Sequence, residues 1–396
     1  MTDAAEPTQQ GEPTRVGLVG ANGYGQRHRG QLAPRVAAGA VDLVGIADPY
    51  ADGQDLEAPW YVDLETMLAE AAPEVVILAT PINTHLPMAE LALRSGVDVY
   101  VEKPPVSSLA EAYQLQQTIE ETGRALQVGF QTQGSLGLPA IADLILSGEL
   151  GELQGISGVG PWLRRRQYWQ RAPWAGRRTL NQLRVGDGVS TNPLAHAVRC
   201  ALGMAGIDRI EQISEVRTEL YHANPIETDD LAWINVVAED GAGAATPPLS
   251  LALSLVSPDH GPAWVQTTGS DTVARFFYNE DRLVLLAGDQ VLTETRFERT
   301  SLLDNLLAHR VGEADLISPL TASLPFMAVL EATQTGPIEA VPEAYMEWRD
   351  SGDQAHPVVA GVDDWLLRAA LEHRGFAEVG APWATPAAAG IFRPQG

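Results

Sequence analysis

Five short apolar runs, at 16–20, 41–48, 74–80, 97–103 and 124–130, alternate with longer stretches of helical spacing, and they constrain the first third of this 396-residue chain more than any other feature. Strands separated by helices cannot pair as hairpins, so the pattern reads as βαβ units around a parallel sheet. Between the third and fourth runs, 83–95 places Leu86, Ala89, Leu91 and Leu93 broadly on one side, with Gly96 as a C-terminal stop. Ser107 or Ser108 is expected to cap the next helix, Glu111 completing a capping box from Ser108.

Beyond about residue 150, strand-like runs follow one another closely, from 156–160 through 282–288. Strands after strands make an antiparallel sheet, so the fold class is an α/β N-terminal Rossmann domain plus an α+β C-terminal domain with a large, mostly antiparallel open-faced sheet. The expected division is a flexible leader over 1–14, a dinucleotide-binding domain over 15–132, a substrate-binding and oligomerisation domain over 133–385, and a loose tail over 386–396. The Gly, Ala and Pro of 239–248 read as a loop.

A net charge of −25 repels phosphate backbones and anionic lipid, which argues against nucleic acid and membrane as partners. No apolar run approaches the roughly 18 residues needed to span a bilayer, and the N-terminus carries no signal pattern. With Cys200 as the only cysteine no intrachain disulfide can form, and a cytoplasmic location is expected.

Of the 26 basic residues 25 are Arg, and the single Lys is Lys103. Arg replaces Lys freely on a solvated surface but not where chemistry needs an ammonium able to lose its proton. Lys103 closes the fourth apolar run, at the end of a strand where open α/β folds place their ligands. Its structural alternative is a surface salt bridge with Glu102.

After the first run comes G20-A-N-G-Y-G25, close to the dinucleotide fingerprint but with Asn22 in place of the middle glycine. Gly20, Asn22, Gly23, Tyr24 and Gly25 are therefore candidate cofactor contacts at a helix N-terminus. Asp48 ends the second run, where a carboxylate can accept hydrogen bonds from ribose hydroxyls, and no basic residue directly follows it. This favours NAD, with NADP as the alternative.

With T80-P-I-N-T-H85 after the third run, E102-K-P104 after the fourth, His28 and the PLAHAV segment, the chain resembles the Gfo/Idh/MocA oxidoreductase family. The resemblance implies that Thr80, Pro81, Asn83 and His85 line the ribose side of the cofactor. It also sets Glu102 and Lys103 beside the nicotinamide and Gln131 at the border of the reacting centre. The family pattern of Asp, three residues, then His reads N192-P-L-A-H196 here. On one helix face His196 would shuttle a proton while Asn192 hydrogen-bonds substrate or imidazole. Asn192 before Pro193 is equally explained as a helix N-cap.

Residues 160–184 hold seven Arg and no acid, a charge of +7 that leaves −32 for the rest. Trp162, Tyr168, Trp169 and Trp174 are interleaved with them, a mixture that suits either a sugar-binding loop or a subunit interface. Trp174 and Arg178 are the expected substrate contacts, beside Lys103, Gln131, Asn192 and His196.

These features together point to an NAD-dependent oxidoreductase acting on a secondary alcohol or carbonyl of a sugar, sugar derivative or cyclic polyol, with Lys103, His196 and Asn192 as catalytic candidates. A homodimer or homotetramer is expected. Two alternatives stand beside this: an enzyme that retains NAD and oxidises transiently, as in epimerisation, elimination or NAD-dependent glycoside cleavage, and a non-catalytic sensor on the same fold. No metal site is expected, since the eight His lack paired-ligand spacing, and Tyr221-His222 followed by Glu227, Asp229 and Asp230 reads as a solvated turn entering a strand.

Overall fold

A computed structural model of the protein describes residues 12–51, 55–239 and 243–394. The five apolar runs and the two-residue β3 form six parallel strands, β1 (Thr14–Val19), β2 (Val41–Ala47), β3 (Trp60–Tyr61), β4 (Val75–Leu78), β5 (Asp98–Val101) and β6 (Leu126–Val128), in the order 3-2-1-4-5-6. Strands β4 and β5 are buried along their whole length, which is why they read as continuous apolar runs rather than alternating ones. Four helices connect and cover them: α1 (Tyr24–Ala37), α2 (Leu64–Ala71), α3 (His85–Arg94) and α4 (Leu109–Thr122). The strand order reverses beside β1, opening a crevice at the carboxyl ends of β1, β4 and β5.

The local signals are largely realised. Gly96 follows α3 at φ +82°, and Gly123 ends α4 at φ +62°. The Ser108 hydroxyl accepts the Glu111 N–H at 3.2 Å, but the Glu111 carboxylate turns to the N–H and hydroxyl of Ser107, so the expected reciprocal box is offset by one residue.

The second half opens with α5 (Gly137–Leu146), then the long β7 (Leu153–Pro161), the one-turn α6 (Arg166–Trp169), a small hairpin of β8 (Thr179–Leu180) and β9 (Leu183–Arg184), and α7 (Ala195–Met204). Next come β10 (Ile213–His222), β11 (Leu231–Ala238), β12 (Leu249–Ser254), β13 (Trp264–Gly269), β14 (Val273–Phe277), β15 (Arg282–Ala287) and β16 (Gln290–Arg296). They form a ten-stranded sheet with β7 at its centre, antiparallel except where β12 meets β7 and where β10 meets the short β17 (Glu339–Ala340). α8 (Leu302–Arg310) and α9 (Leu320–Thr335) precede β17.

Both faces of this sheet are covered over its central strands, while β16 at its edge is exposed along its whole length. Ala232, Ile234 and Val236 of β11 join the cluster that holds Val198 of α7 and Met327 of α9. Their neighbours Leu231 and Trp233 point the other way, onto Val362, Leu366 and Ala369 of α10 (Val362–Glu372) and onto Phe376 and Trp383. This C-terminal segment is introduced by the hairpin β18 (Met346–Arg349) and β19 (His356–Val359). The tail is not loose: β20 (Ala389–Phe392) pairs antiparallel with β10. Of the expected leader, residues 1–11 lie outside the described residues, as do 240–242 of the expected loop and 395–396 of the tail; 14 already belongs to β1.

The expected solvated turn at 222–230 is solvated only at Pro225 and Glu227, and its two aspartates are packed. Asp229 and Asp230 are 2% and 0% exposed, the first accepting the Val189 N–H and the second those of Ala223 and Asn224. Burial raises the Asp229 carboxyl to about 7. Buried backbone donors account for both acids.

Candidate active site

Gly20 leaves β1 at φ +94°, and a Cβ there would lie 2.5 Å from the Ala79 carbonyl oxygen; one on Gly25 would lie 1.9 Å from that of Gly20. Both positions therefore demand glycine. Asn22 stays out of the positive-φ region, and Gly23 takes it at φ +57°, so the backbone angle at 22 does not require glycine. α1 then begins with no side-chain cap and no acid in its first turn, leaving its N–H groups for an anion. At the end of β2, Asp48 accepts the Ala21 N–H at 2.8 Å and the Tyr50 N–H at 2.9 Å, and among the described residues no Arg or Lys pairs with it. A pyrophosphate at α1 and ribose hydroxyls at Asp48 fit this donor and acceptor set.

From β4, Thr80 and Pro81 reach the crevice, and the ring of His85 ties that strand end to the turn after β5. Its Nε2 lies 2.9 Å from the Thr80 carbonyl and its Nδ1 3.0 Å from that of Pro104. Burial holds the imidazole below its usual pKa. Asn83 sits in a single 3₁₀ turn and lines no part of the cleft.

Glu102 is buried and accepts from Gln131 Nε2 at 3.1 Å, while His28 Nε2 lies 2.8 Å from the same oxygen. Gln131 thus braces Glu102 instead of bordering the cleft. Tyr24, on the first turn of α1, packs edge-on to His28; burial and Glu102 push its phenol up to about 12.

Lys103 does not pair with Glu102 through its ammonium. Its Nζ crosses to the second half, donating to the backbone oxygen and to Oδ1 of Asn192, each at 2.8 Å. Burial lowers its pKa to about 8, partly opposed by Glu102 and Asp187. Asn192 is neither on α7 nor its cap. The helix starts at Ala195, with Leu194 in the cap position. The Asn192 amide instead donates from Nδ2 to Asp187 Oδ1 at 2.6 Å.

Asp187 is the residue that sequence reasoning missed. It is 1% exposed and bound by Arg171 Nη2, at 2.8 and 2.7 Å from its two oxygens, and by the Gly176 N–H at 2.9 Å. The one available signal was its place as the first acid after the basic segment, flanked by Gly186 and Gly188.

The aromatic and basic segment forms the opposite wall. The Arg171 guanidinium lies 3.7 Å from the Tyr168 ring centre and 4.5 Å from that of Trp174. Arg178 turns away, donating to the carbonyls of Thr333 and Gly336, which removes it as a substrate contact. His196, on the first turn of α7, lies with Nδ1 3.3 Å from the Thr132 hydroxyl and packs edge-on to Phe130. Burial and the positive charge of Lys103 hold it down at about 3. It remains neutral through the ordinary pH range.

A cleft of about 540 Å3 results, with Asn22, Gly23, Tyr24, Thr80, Pro81, His85, Glu102 and Lys103 on one side and Tyr168, Arg171, Trp174, Asp187 and Asn192 on the other. Gly20, Gly25 and Asp48 shape the loop behind it, while Asn83, Gln131, Arg178 and His196 are not among its lining residues. A second cavity, of about 590 Å3, lies behind the same segment, between Trp169, Arg177 and Trp348.

Residues 14–130 match the family described as an oxidoreductase family with an NAD-binding Rossmann fold. These residues are similar to the Rossmann domain of the Gfo/Idh/MocA oxidoreductase family. Inositol 2-dehydrogenase of Salmonella typhimurium is 28% identical over 146 residues, 35% of this chain and 43% of that protein. scyllo-Inositol 2-dehydrogenase (NAD(+)) of Bacillus subtilis is 31% identical over 147 residues, 35% of this chain and 42% of that protein. The match therefore spans less than half the length of these curated relatives. Among solved structures, the WlbA dehydrogenase of Bordetella pertussis, in complex with NADH and UDP-GlcNAcA, aligns with a TM-score of 0.66 at 21% identity, covering 81% of this chain and 95% of that one. That likeness is one of fold and reaches into the second half of the chain. Among the described residues no cluster of three or more His, Cys, Asp or Glu could hold a metal ion, and no helix is long and apolar enough to cross a membrane.

Proposed function

We propose that the protein is an NAD-dependent oxidoreductase acting on a secondary alcohol, or the corresponding carbonyl, of a sugar, sugar derivative or cyclic polyol. The observation that carries this reading is the placement of Lys103. The only lysine of the chain lies in a cleft shared by a dinucleotide-type glycine loop and a wall of Tyr168, Trp174 and Arg171.

Bound NAD supplies the hydride acceptor for alcohol oxidation. The chain's own residues do the rest. The glycine loop and the start of α1 hold the pyrophosphate, and Asp48 accepts from ribose hydroxyls. Tyr168 and Trp174 offer aromatic faces to the C–H side of a sugar ring. Lys103, lowered to about 8, has a substantial neutral fraction at mildly alkaline pH and can take the proton of the substrate hydroxyl. In the reverse direction the ammonium donates to the carbonyl oxygen. His196, neutral and beside Thr132, serves as a hydrogen-bonding group rather than an acid. The inositol-dehydrogenase names of the relatives and the nucleotide sugar in the WlbA structure support this substrate class.

The test is to mix purified protein with NAD or NADP across inositols, sugars and sugar acids, following absorbance at 340 nm and product mass. Substrate-dependent NADH with a product two hydrogens lighter supports the reading. Tight NAD binding with an isomerised or cleaved product and no net NADH replaces it with the NAD-retaining reading.

A further inference from the structure

We infer that Asp187 is the positioning residue of this site: acting through Asn192, it holds Lys103 with one N–H direction left for the substrate oxygen, and it supplies the carboxylate that this chain lacks at 192. The inference deepens the proposed function and rests on Lys103 as the proton-handling group.

An ammonium has three N–H directions. At Lys103 two of them end on the backbone and side-chain oxygens of Asn192, and the third is left to the cleft. The Asn192 amide keeps its oxygen toward Lys103 because its nitrogen faces Asp187 Oδ1 at 2.6 Å. A flipped amide would set N–H against ammonium and oxygen against carboxylate, two repulsive contacts in place of two attractive ones. Asp187 is itself fixed by Arg171 and by the Gly176 N–H, so the chain Gly176, Asp187, Asn192, Lys103 is anchored at backbone.

The same geometry explains why an amide stands at 192. A carboxylate there would lie against Asp187 in a buried site, and two acids so close cannot both ionise. An acid at 187 and an amide at 192 go together, with the negative charge one residue further from Lys103. The other groups acting on Lys103 are Glu102 and Arg171, and Lys103 in turn acts on His196.

The sole lysine makes the test direct. Protein grown with [13Cε]lysine gives one side-chain NMR signal, and its pH titration reports Lys103 without cofactor or turnover. Asp187→Asn and Asn192→Leu are each expected to lower the titration midpoint by about half a unit or more. With NAD and an active substrate, Asp187→Asn is expected to lower kcat by about 100-fold with KM changed only a few-fold. The exchanged pair Asp187→Asn with Asn192→Asp is expected to recover both midpoint and kcat. Asn192→Leu leaves Asp187 on its Arg171 and Gly176 anchors, so it tests the link even where Asp187→Asn fails to fold.

An unmoved midpoint in both single variants overturns the inference, as does an exchanged pair no better than Asp187→Asn alone. Midpoints that move and are restored by the exchange, in a protein that turns over none of the sugars or polyols, uphold the link and overturn the oxidoreductase reading instead.

Discussion

The Lys103 ammonium is bound to Asn192 from the second half of the chain, by two hydrogen bonds of 2.8 Å, while only the backbone N–H of Lys103 meets Glu102, at 3.3 Å. Glu102 is occupied by His28 and Gln131. The two adjacent charges thus serve different halves of the site: Glu102 stiffens the Rossmann side, and Lys103 bridges the cleft. A lysine used only on the surface would need neither arrangement.

Asp48 sets cofactor choice in this account. Its carboxylate would repel a 2′-phosphate, and it also holds the Ala21 N–H of the glycine loop. Asp48→Ser is expected to weaken NAD binding about tenfold and to narrow or reverse the preference over NADP, measured by titration calorimetry with each dinucleotide. An unchanged preference would remove Asp48 from the ribose site.

Trp174 and Arg178 were equal candidates in the sequence and are separated by the structure. Trp174 lines the cleft, whereas Arg178 ties β8 and its surroundings to the end of α9 through two carbonyls. Trp174→Ala is expected to raise KM about tenfold or more with little change in thermal midpoint. Arg178→Ala should do the reverse, costing about 1–3 kcal/mol of stability while KM stays within twofold. Steady-state kinetics and thermal melts on the two variants decide it.

His196 contributes a pH-dependent stability of calculable sign. Its folded pKa is depressed to about 3 from 6.5, so below 6.5 the unfolded chain takes up a proton that the folded one refuses. Stability from this group is complete above about 6.5 and falls as the pH drops toward 3. Urea midpoints at pH 7 and pH 5 should show His196→Gln losing about 1–2 kcal/mol less than wild type over that interval. Equal losses would show that His196 is protonated in the folded protein.

Elements carried by local pattern were legible in the sequence. The runs at 74–80 and 97–103 are buried strands, and Gly20 and Gly25 sit where only glycine fits. What required long-range information was not legible. Strand β3 has two residues and exists only by pairing with β2. The covering of the second sheet depends on a helix more than a hundred residues after the strands it meets, so no periodicity within those strands announces it. Asn192 was read through its neighbours as a cap or a helix-face residue, yet its partners lie 89 residues before it and five before it across a turn. Asp187 carried no motif at all, and its role arises from Arg171 and Asn192 converging on it in space.

The central claim is that Lys103 handles the substrate proton. The direct measurement is the pH dependence of kcat/KM for alcohol oxidation at saturating NAD, from pH 6 to 10, for wild type, Lys103→Met and Lys103→Arg. With Lys103 lowered to about 8, the wild-type rate should rise about tenfold per pH unit below that value and level off above it, because oxidation needs the neutral amine. Both variants should lose about 100-fold or more, Lys103→Arg included, since a guanidinium keeps its charge and cannot accept the proton. A Lys103→Met enzyme within tenfold of wild type, or the same rising limb retained without the amine, would contradict the account.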